Sequence, residues 1–362
     1  MDMKRNLFYA GLTKRSFFAL AVVLSFMQIG CGASDPAPLK GEIAKTNIAF
    51  TESENNALWI IRADATGLRK LNSDARSTVR FSPDGKLLTF KMSDHIHAVT
   101  DLDGNILYTF QGCLDSDDFT WSPDGKAIVF GCYFSGIWRY NLGDAAPVEL
   151  VSSIDRTYDH GPVISPDGSR IIYTHNEYGV QYTIYTIDPD GGNQKLIERG
   201  VSAQDARNCM VWADNAHVIF TPLDGTIHYL DVDTLVDTVS YAGFTSGAIS
   251  LNNNKTMMSL YGNLFLYLSS ATGLPSGTVD FGTSPVTWDF IGSNAFAWSP
   301  DGAYFVVSGD KLAAYEQDDQ VPLRILDLSL TEYRLVRLGN FPELGLLLDY
   351  QMLGADWAAA PI

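Results

Sequence analysis

Carboxylates and imidazoles recur at comparable points along this 362-residue chain. Asp117 and Asp118, Asp159 and His160, and Asp205 each lie just before a short apolar run, as do Asn208, Asn294 and Asp349. His175 closes the second apolar run after His160. If the fold brings these points together, several carboxylates and two imidazoles could hold a cation or a cationic ligand. Clustered carboxylates raise one another's proton affinity unless a positive group compensates. The competing reading is that aspartates before strands cap turns and keep loops in water. Asp117, Asp118, Asp159, His160, His175 and Asp205 are therefore the candidate ligand-binding set, with no catalytic residue, metal or cofactor assigned.

Stronger chemical motifs are missing. The sequence has no Gly-x-Ser-x-Gly elbow, His-Glu-x-x-His, Cys-x-x-Cys, phosphate loop or dinucleotide fingerprint. Asp101-Leu102-Asp103-Gly104 and Asp188-Pro189-Asp190-Gly191 resemble the start of calcium loops but lack the downstream glutamate, and read better as turns. His95-Ile96-His97 places two imidazoles on one face of a strand, which reads as packing or surface rather than a metal pair.

The elements that position these residues are set by a recurring phrase: Phe81-Ser82-Pro83-Asp84-Gly85, Trp121-Ser122-Pro123-Asp124-Gly125, Ile164-Ser165-Pro166-Asp167-Gly168 and Trp298-Ser299-Pro300-Asp301-Gly302. Apolar runs flank each copy, so each reads as a tight hairpin. Proline presets the first corner, aspartate tolerates the second and glycine takes the left-handed position. Worn copies stand at Val211–Ala216 and Ile249–Lys255, and a partial one at Ala355–Pro361. Further strand-like runs follow each hairpin, as in Gly136–Tyr140 and Val148–Val151. Four short strands in about 40 residues describe an all-β chain of propeller blades.

The chain ends complement each other. The N-terminal repeat supplies a second, third and fourth strand, and the C-terminus supplies a lone first strand around Asp356-Trp357. Joining them predicts seven four-stranded antiparallel blades in a closed β-propeller over residues 45–362. Six is the alternative if the copy near Leu251 is an insertion. The residues before each first strand then converge at one mouth of the central channel. Cys113 and Cys132 bracket one hairpin and fall at the same end of it, which predicts a disulfide, or else two buried thiols. Cys209 reads as a small buried apolar residue.

Residues 1–30 read as a bacterial lipoprotein signal. Lys4, Arg5, Lys14 and Arg15 precede the apolar stretch Phe17–Ile29, which ends at Gly30-Cys31. Cys31 becomes the lipidated residue and 31–44 a tether. Gln28 departs from the usual leucine, and a plain secretory signal is the other reading. The formal net charge is −17, and the leader holds four of the basic residues. So acidic a surface repels nucleic acid and anionic lipid.

The Ser-Pro-Asp-Gly phrase, its apolar flanks and the Asp188-Pro189-Asp190-Gly191-Gly192 turn resemble the repeat of TolB-like propellers, the WD40-like Pro-Asp class, over residues 45–362. The matching residues are scaffold. The resemblance implies a propeller that binds a protein or glycan. Together with the leader this reads as an envelope lipoprotein facing the periplasm or cell surface. Gly32-Ala33-Ser34, with no aspartate directly after Cys31, favours the outer over the inner membrane. Some related propellers are lyases for pectic fragments with a histidine-bound metal at the channel mouth. That alternative needs His160 and His175 to converge.

Overall fold

The computed structural model describes residues 39–52, 56–76, 78–93, 95–112, 119–132, 135–153, 157–177, 182–201, 210–220, 226–241, 249–252, 255–260, 263–269, 275–280, 296–300, 303–308, 323–327, 334–337 and 352–358. All lie in one compact unit, Ala37–Ile362. Among them no helix is long and apolar enough to cross a membrane.

The repeated phrase owes its shape to its serine. Ser82 Oγ donates to Asp84 Oδ1 at 2.7 Å and accepts the Leu87 N–H at 3.0 Å, while the Gly85 N–H donates to Ser82 O at 2.8 Å. Gly85 has φ 72°, where a side chain would be strained. The serine–aspartate bond recurs at Ser122–Asp124 (2.6 Å) and Ser165–Asp167 (2.8 Å). In the worn copy Asp214 Oδ1 replaces it, accepting the N–H groups of Ala216 and His217 at 2.7 and 2.8 Å.

These turns join strands of consecutive antiparallel sheets. The first sheet contains β1 (Asn47–Glu52), β2 (Ala57–Arg62) and β3 (Arg69–Asn72). The second contains β4 (Val79–Phe81), β5 (Leu87–Ser93), β6 (Ile96–Asp101) and β7 (Ile106–Gln111). The third contains β8 (Phe119–Trp121), β9 (Ala127–Cys132), β10 (Gly136–Asn141) and β11 (Val148–Val151). The fourth contains β12 (Thr157–Ile164), β13 (Ile171–Glu177), β14 (Tyr182–Ile187) and β15 (Lys195–Val201). The fifth contains β16 (Met210–Trp212), β17 (His217–Phe220), β18 (Thr226–Asp231) and β19 (Asp237–Tyr241). The sixth contains β20 (Ile249–Asn252), β21 (Lys255–Leu260), β22 (Asn263–Ser269) and β23 (Pro275–Asp280). The seventh contains β24 (Phe296–Trp298), β25 (Tyr304–Ser308), β26 (Leu323–Asp327) and β27 (Arg334–Arg337). The last strand, β28 (Met352–Trp357), returns to the first sheet and pairs with β1, Ile48 opposite Trp357 and Phe50 opposite Ala355. The described residues thus form seven four-stranded sheets, one of them headed by the copy near Leu251.

The core lies between sheets. Val99 and Phe110 of the second meet Phe119, Trp121 and Phe130 of the third. Val129 and Ile137 of the third meet Ile171, Tyr173 and Ile187 of the fourth. Ile172 and Ile184 then meet Met210, Trp212 and Phe220 of the fifth. Each such large side chain contributes about 1.5–3 kcal/mol by leaving water. His97 belongs to this packing, with the rings of Phe110, Phe119 and Phe130 at 5.1, 5.6 and 5.5 Å, whereas His95 is an exposed turn residue.

Candidate functional site

First strands β4, β8, β16 and β24 have three residues each. Strand β12 has eight, and its register shifts between His160 and Val163. Gly161 has φ 56° and Pro162 follows, so the chain bulges there and carries Thr157–His160 past the length of a standard first strand. Gly131 on β9 makes room: a Cβ there would stand 3.0 Å from Asp159 O and 3.3 Å from His160 Cα.

The extension places Asp159 opposite His175 and His160 opposite Thr174. Cross-strand partners share a face and neighbours along a strand do not. Asp159 and His175 therefore look toward the third sheet, together with Tyr173 and Ile171, and His160 looks toward the fifth.

On the first face, Asp159 is 1% exposed. Its Oδ1 accepts from His175 Nδ1 at 2.7 Å, and its Oδ2 accepts a short hydrogen bond from Ser153 Oγ, just beyond β11. The His175 side chain is 24% exposed. Its ring meets the Tyr185 ring edge-on at 5.6 Å, and Tyr185 stacks on Tyr173 at 5.8 Å. Tyr173 is fully buried, its hydroxyl accepts from Gln194 Nε2, and burial pushes the phenol above its ordinary range. On the other face the His160 ring lies between those of Tyr158 and Tyr182, at 6.0 and 6.4 Å.

The candidate set is thus divided. Asp159 and His175 form a pair, and His160 is separated from them by the thickness of the sheet. Asp117, Asp118 and Asp205 lie outside the described residues, as do Asn208, Asn294 and Asp349. So do Cys31 and Cys113. Cys132 is buried and disulfide-bonded, and its partner is outside the described residues. Asp101 and Asp188 are turn residues. Asp101 Oδ1 accepts the N–H groups of Asp103 and Asn105, both at 2.9 Å, and Asp188 Oδ2 accepts Asn193 Nδ2 at 2.6 Å.

Two more aspartate–imidazole pairs escaped the sequence reading. His217 Nδ1 lies 2.9 Å from Asp214 Oδ2, and its ring stacks on Tyr229 at 4.6 Å. His228 Nδ1 lies 2.6 Å from Asp237 Oδ2, and its ring stacks on Phe220 at 4.7 Å. The first is a contact between residues three apart in one turn. The second is a diagonal contact across β18 and β19, where His228 stands opposite Val239 and Leu230 opposite Asp237; neither is a motif.

A buried aspartate that orients an imidazole is half of a general-base arrangement. Here the serine bonds the carboxylate and not the ring, so His175 does not activate Ser153 in this arrangement. Among the described residues no three His, Cys, Asp or Glu side chains are grouped to hold a metal ion. The site offers fixed hydrogen-bonding groups and aromatic rings.

No family model matches the sequence. Solved structures resemble the fold. A functionally unknown protein from Desulfotomaculum acetoxidans aligns at TM-score 0.61 and 11% identity, over 86% of this chain and 99% of its own. The Cps50 β-propeller domain of Myceliophteria thermophila aligns at 0.53 and 15% identity, over 74% and 86%. A chain of Kuenenia stuttgartiensis hydrazine synthase aligns at 0.54 and 15%, over 78% and 95%. At these identities the likeness is one of architecture: the chain has a β-propeller fold.

Proposed function

We propose that this protein is a non-catalytic binding scaffold of the bacterial cell envelope. It is anchored by lipid on Cys31, and a closed seven-bladed propeller presents one mouth to a protein or glycan. The observation that carries this reading is the division of the site. Asp159 has both oxygens engaged by Ser153 and His175, and His160 faces the other way. A histidine-bound metal of the lyase type needs the two imidazoles to converge, and the described residues do not assemble that set. What the extended end of β12 offers instead is the half-buried His160, stacked on the buried Tyr158 and near the half-buried Tyr182, so the accessible edges of His160 and Tyr182 are what a partner would meet.

Closure in seven blades is supported by seven sheets, by β28 pairing with β1, and by contact of β28 with both β24 and β4. The fold itself selects no activity, since proteins as different as hydrazine synthase and Cps50 share it. Asp117, Asp118 and Asp205 complete the mouth in this reading.

Affinity capture from native envelopes tests it, comparing the full chain with His160→Ala. The wild type should retain a discrete partner that the variant loses while keeping its thermal stability. Equal retention by both contradicts the mouth as the recognition surface. Cys31→Ala should leave the protein soluble or unprocessed, because membrane binding depends on several acyl chains. Undiminished membrane association of that variant removes the lipid anchor from the account.

A further inference from the structure

Every propeller sheet ends in a fourth strand whose outer N–H and C=O groups are open to pairing, a hazard that proteins blunt with charge or proline. Six of the seven fourth strands here are blunted so. Strand β3 carries Arg69 and Lys70, β11 carries Glu149, and β15 carries Lys195, Glu198 and Arg199. Strand β19 opens with Asp237, β23 with Pro275, and β27 with Arg334. Strand β7 is the exception: Ile106-Leu107-Tyr108-Thr109-Phe110-Gln111 has neither charge nor proline.

Its surface is apolar as well. Ile106 is 45% and Leu107 48% exposed, and Ile96, opposite Gln111, is 37% exposed. The bulge on this strand falls at its start, and Tyr108–Gln111 run in unbroken register with β6. Among the described residues no strand pairs with the outer side of β7. An edge of this length, regularity and β propensity is a template for one more strand.

We propose that β7 is a docking edge for an extended peptide of a partner protein, with alternating β-branched or aromatic residues and basic flanks. Charge argues for that occupant over a second copy. The chain carries −17, so two copies repel; Asp103 at the head of β7 is 82% exposed and is met by Arg69 at 3.5 Å, a solvent-screened pair that leaves the acidic balance of the whole chain in place. A basic-flanked strand meets that field favourably. This site lies on the rim of the second sheet and does not depend on the mouth.

The test is a displayed library of random decapeptides selected on the full chain and counter-selected on Leu107→Lys/Thr109→Lys. Both positions are exposed, so the variant should fold normally, with unchanged circular dichroism and melting. Selected peptides should alternate apolar and polar residues between Lys or Arg flanks. They should protect the Tyr108–Gln111 amides from deuterium exchange, and bind the variant at least about tenfold more weakly. Binding should persist in His160→Ala, which separates this proposal from the mouth. The proposal is overturned by failure to recover wild-type-selective peptides, by acidic or uncharged flanks, or by protection elsewhere. A wild-type dimer dissolved by the double variant also overturns it, since the occupant would then be a second copy.

Discussion

Asp159 illustrates how one side chain changes meaning with its partners. As one of several carboxylates near a mouth it should be repelled by its neighbours. In place, it is buried and accepts one hydrogen bond from Ser153 and another from His175. His175→Ala strands one oxygen and should cost about 1–3 kcal/mol in chemical denaturation. Asp159→Asn should cost less than that. An amide can accept from Ser153 and donate to His175 in its other tautomer, and no charge is left buried. If the asparagine variant is the less stable of the two, the pairing is wrong. The turn aspartates make a second claim. Asp84 and Asp124 are held below the ordinary 3.8 chiefly by the Ser82 and Ser122 hydroxyls, and Asp167 chiefly by the Ser169 N–H. A depressed carboxyl stabilises the fold above its unfolded value, and that contribution is lost as pH falls through the folded value. Melting temperature should therefore fall more steeply below about pH 3.8 in the wild type than in Asp84→Asn/Asp124→Asn/Asp167→Asn. The sequence announces these turns through proline, aspartate and glycine. It hides the serine, because a hydroxyl that closes a turn looks like any other polar loop residue.

At the scale of elements, two glycines separate strain from collision. Gly136 and Gly143 have almost the same φ, 92° and 93°. A Cβ on Gly143 meets nothing within 4 Å, whereas on Gly136 it would stand 1.8 Å from Val151 O and 3.0 Å from Ser153 N. Gly143→Ala should cost about 1–2 kcal/mol of left-handed strain. Gly136→Ala should cost clearly more, and should also displace Ser153 from Asp159. Equal melting of the two variants contradicts the close approach of β10 to the chain leaving β11. The last strand depends on another local device. Asp356 Oδ2 accepts the Phe81 N–H of β4 at 2.7 Å, and Oδ1 accepts the Trp357 N–H at 3.0 Å. Burial pushes this carboxyl up, against Arg80 and the two N–H donors, which pull it down. Asp356→Ala should cost about 1–3 kcal/mol and Asp356→Asn less, since an amide oxygen still reaches Phe81. The strands themselves were legible, because apolar runs between turns are a direct imprint of burial. The extension of β12 was not, since Gly161-Pro162 reads as an ordinary loop until the register around it is known.

Among the described residues the core clusters lie between adjacent sheets, so a sheet's stability depends on the neighbours it packs against. Removing residues 353–362 takes β28 from β1 and from both adjacent first strands. That truncation should abolish cooperative unfolding, and a truncated chain that melts like the wild type contradicts closure by β28. The four-stranded antiparallel sheets and the pairing of the chain ends could be read from the sequence because the same turn phrase recurs between apolar runs. The candidate site could be read only in part, because faces of a sheet are assigned by register, and one residue of bulge sends His160 and His175 to opposite sides. On that separation rests the choice between a recognition surface and a metal-dependent enzyme. The most direct test is the transition-metal content of the full chain purified without chelator. The scaffold account predicts far less than one ion per chain, unchanged in His160→Ala and His175→Ala. One tightly held ion per chain, lost with either histidine, would contradict it.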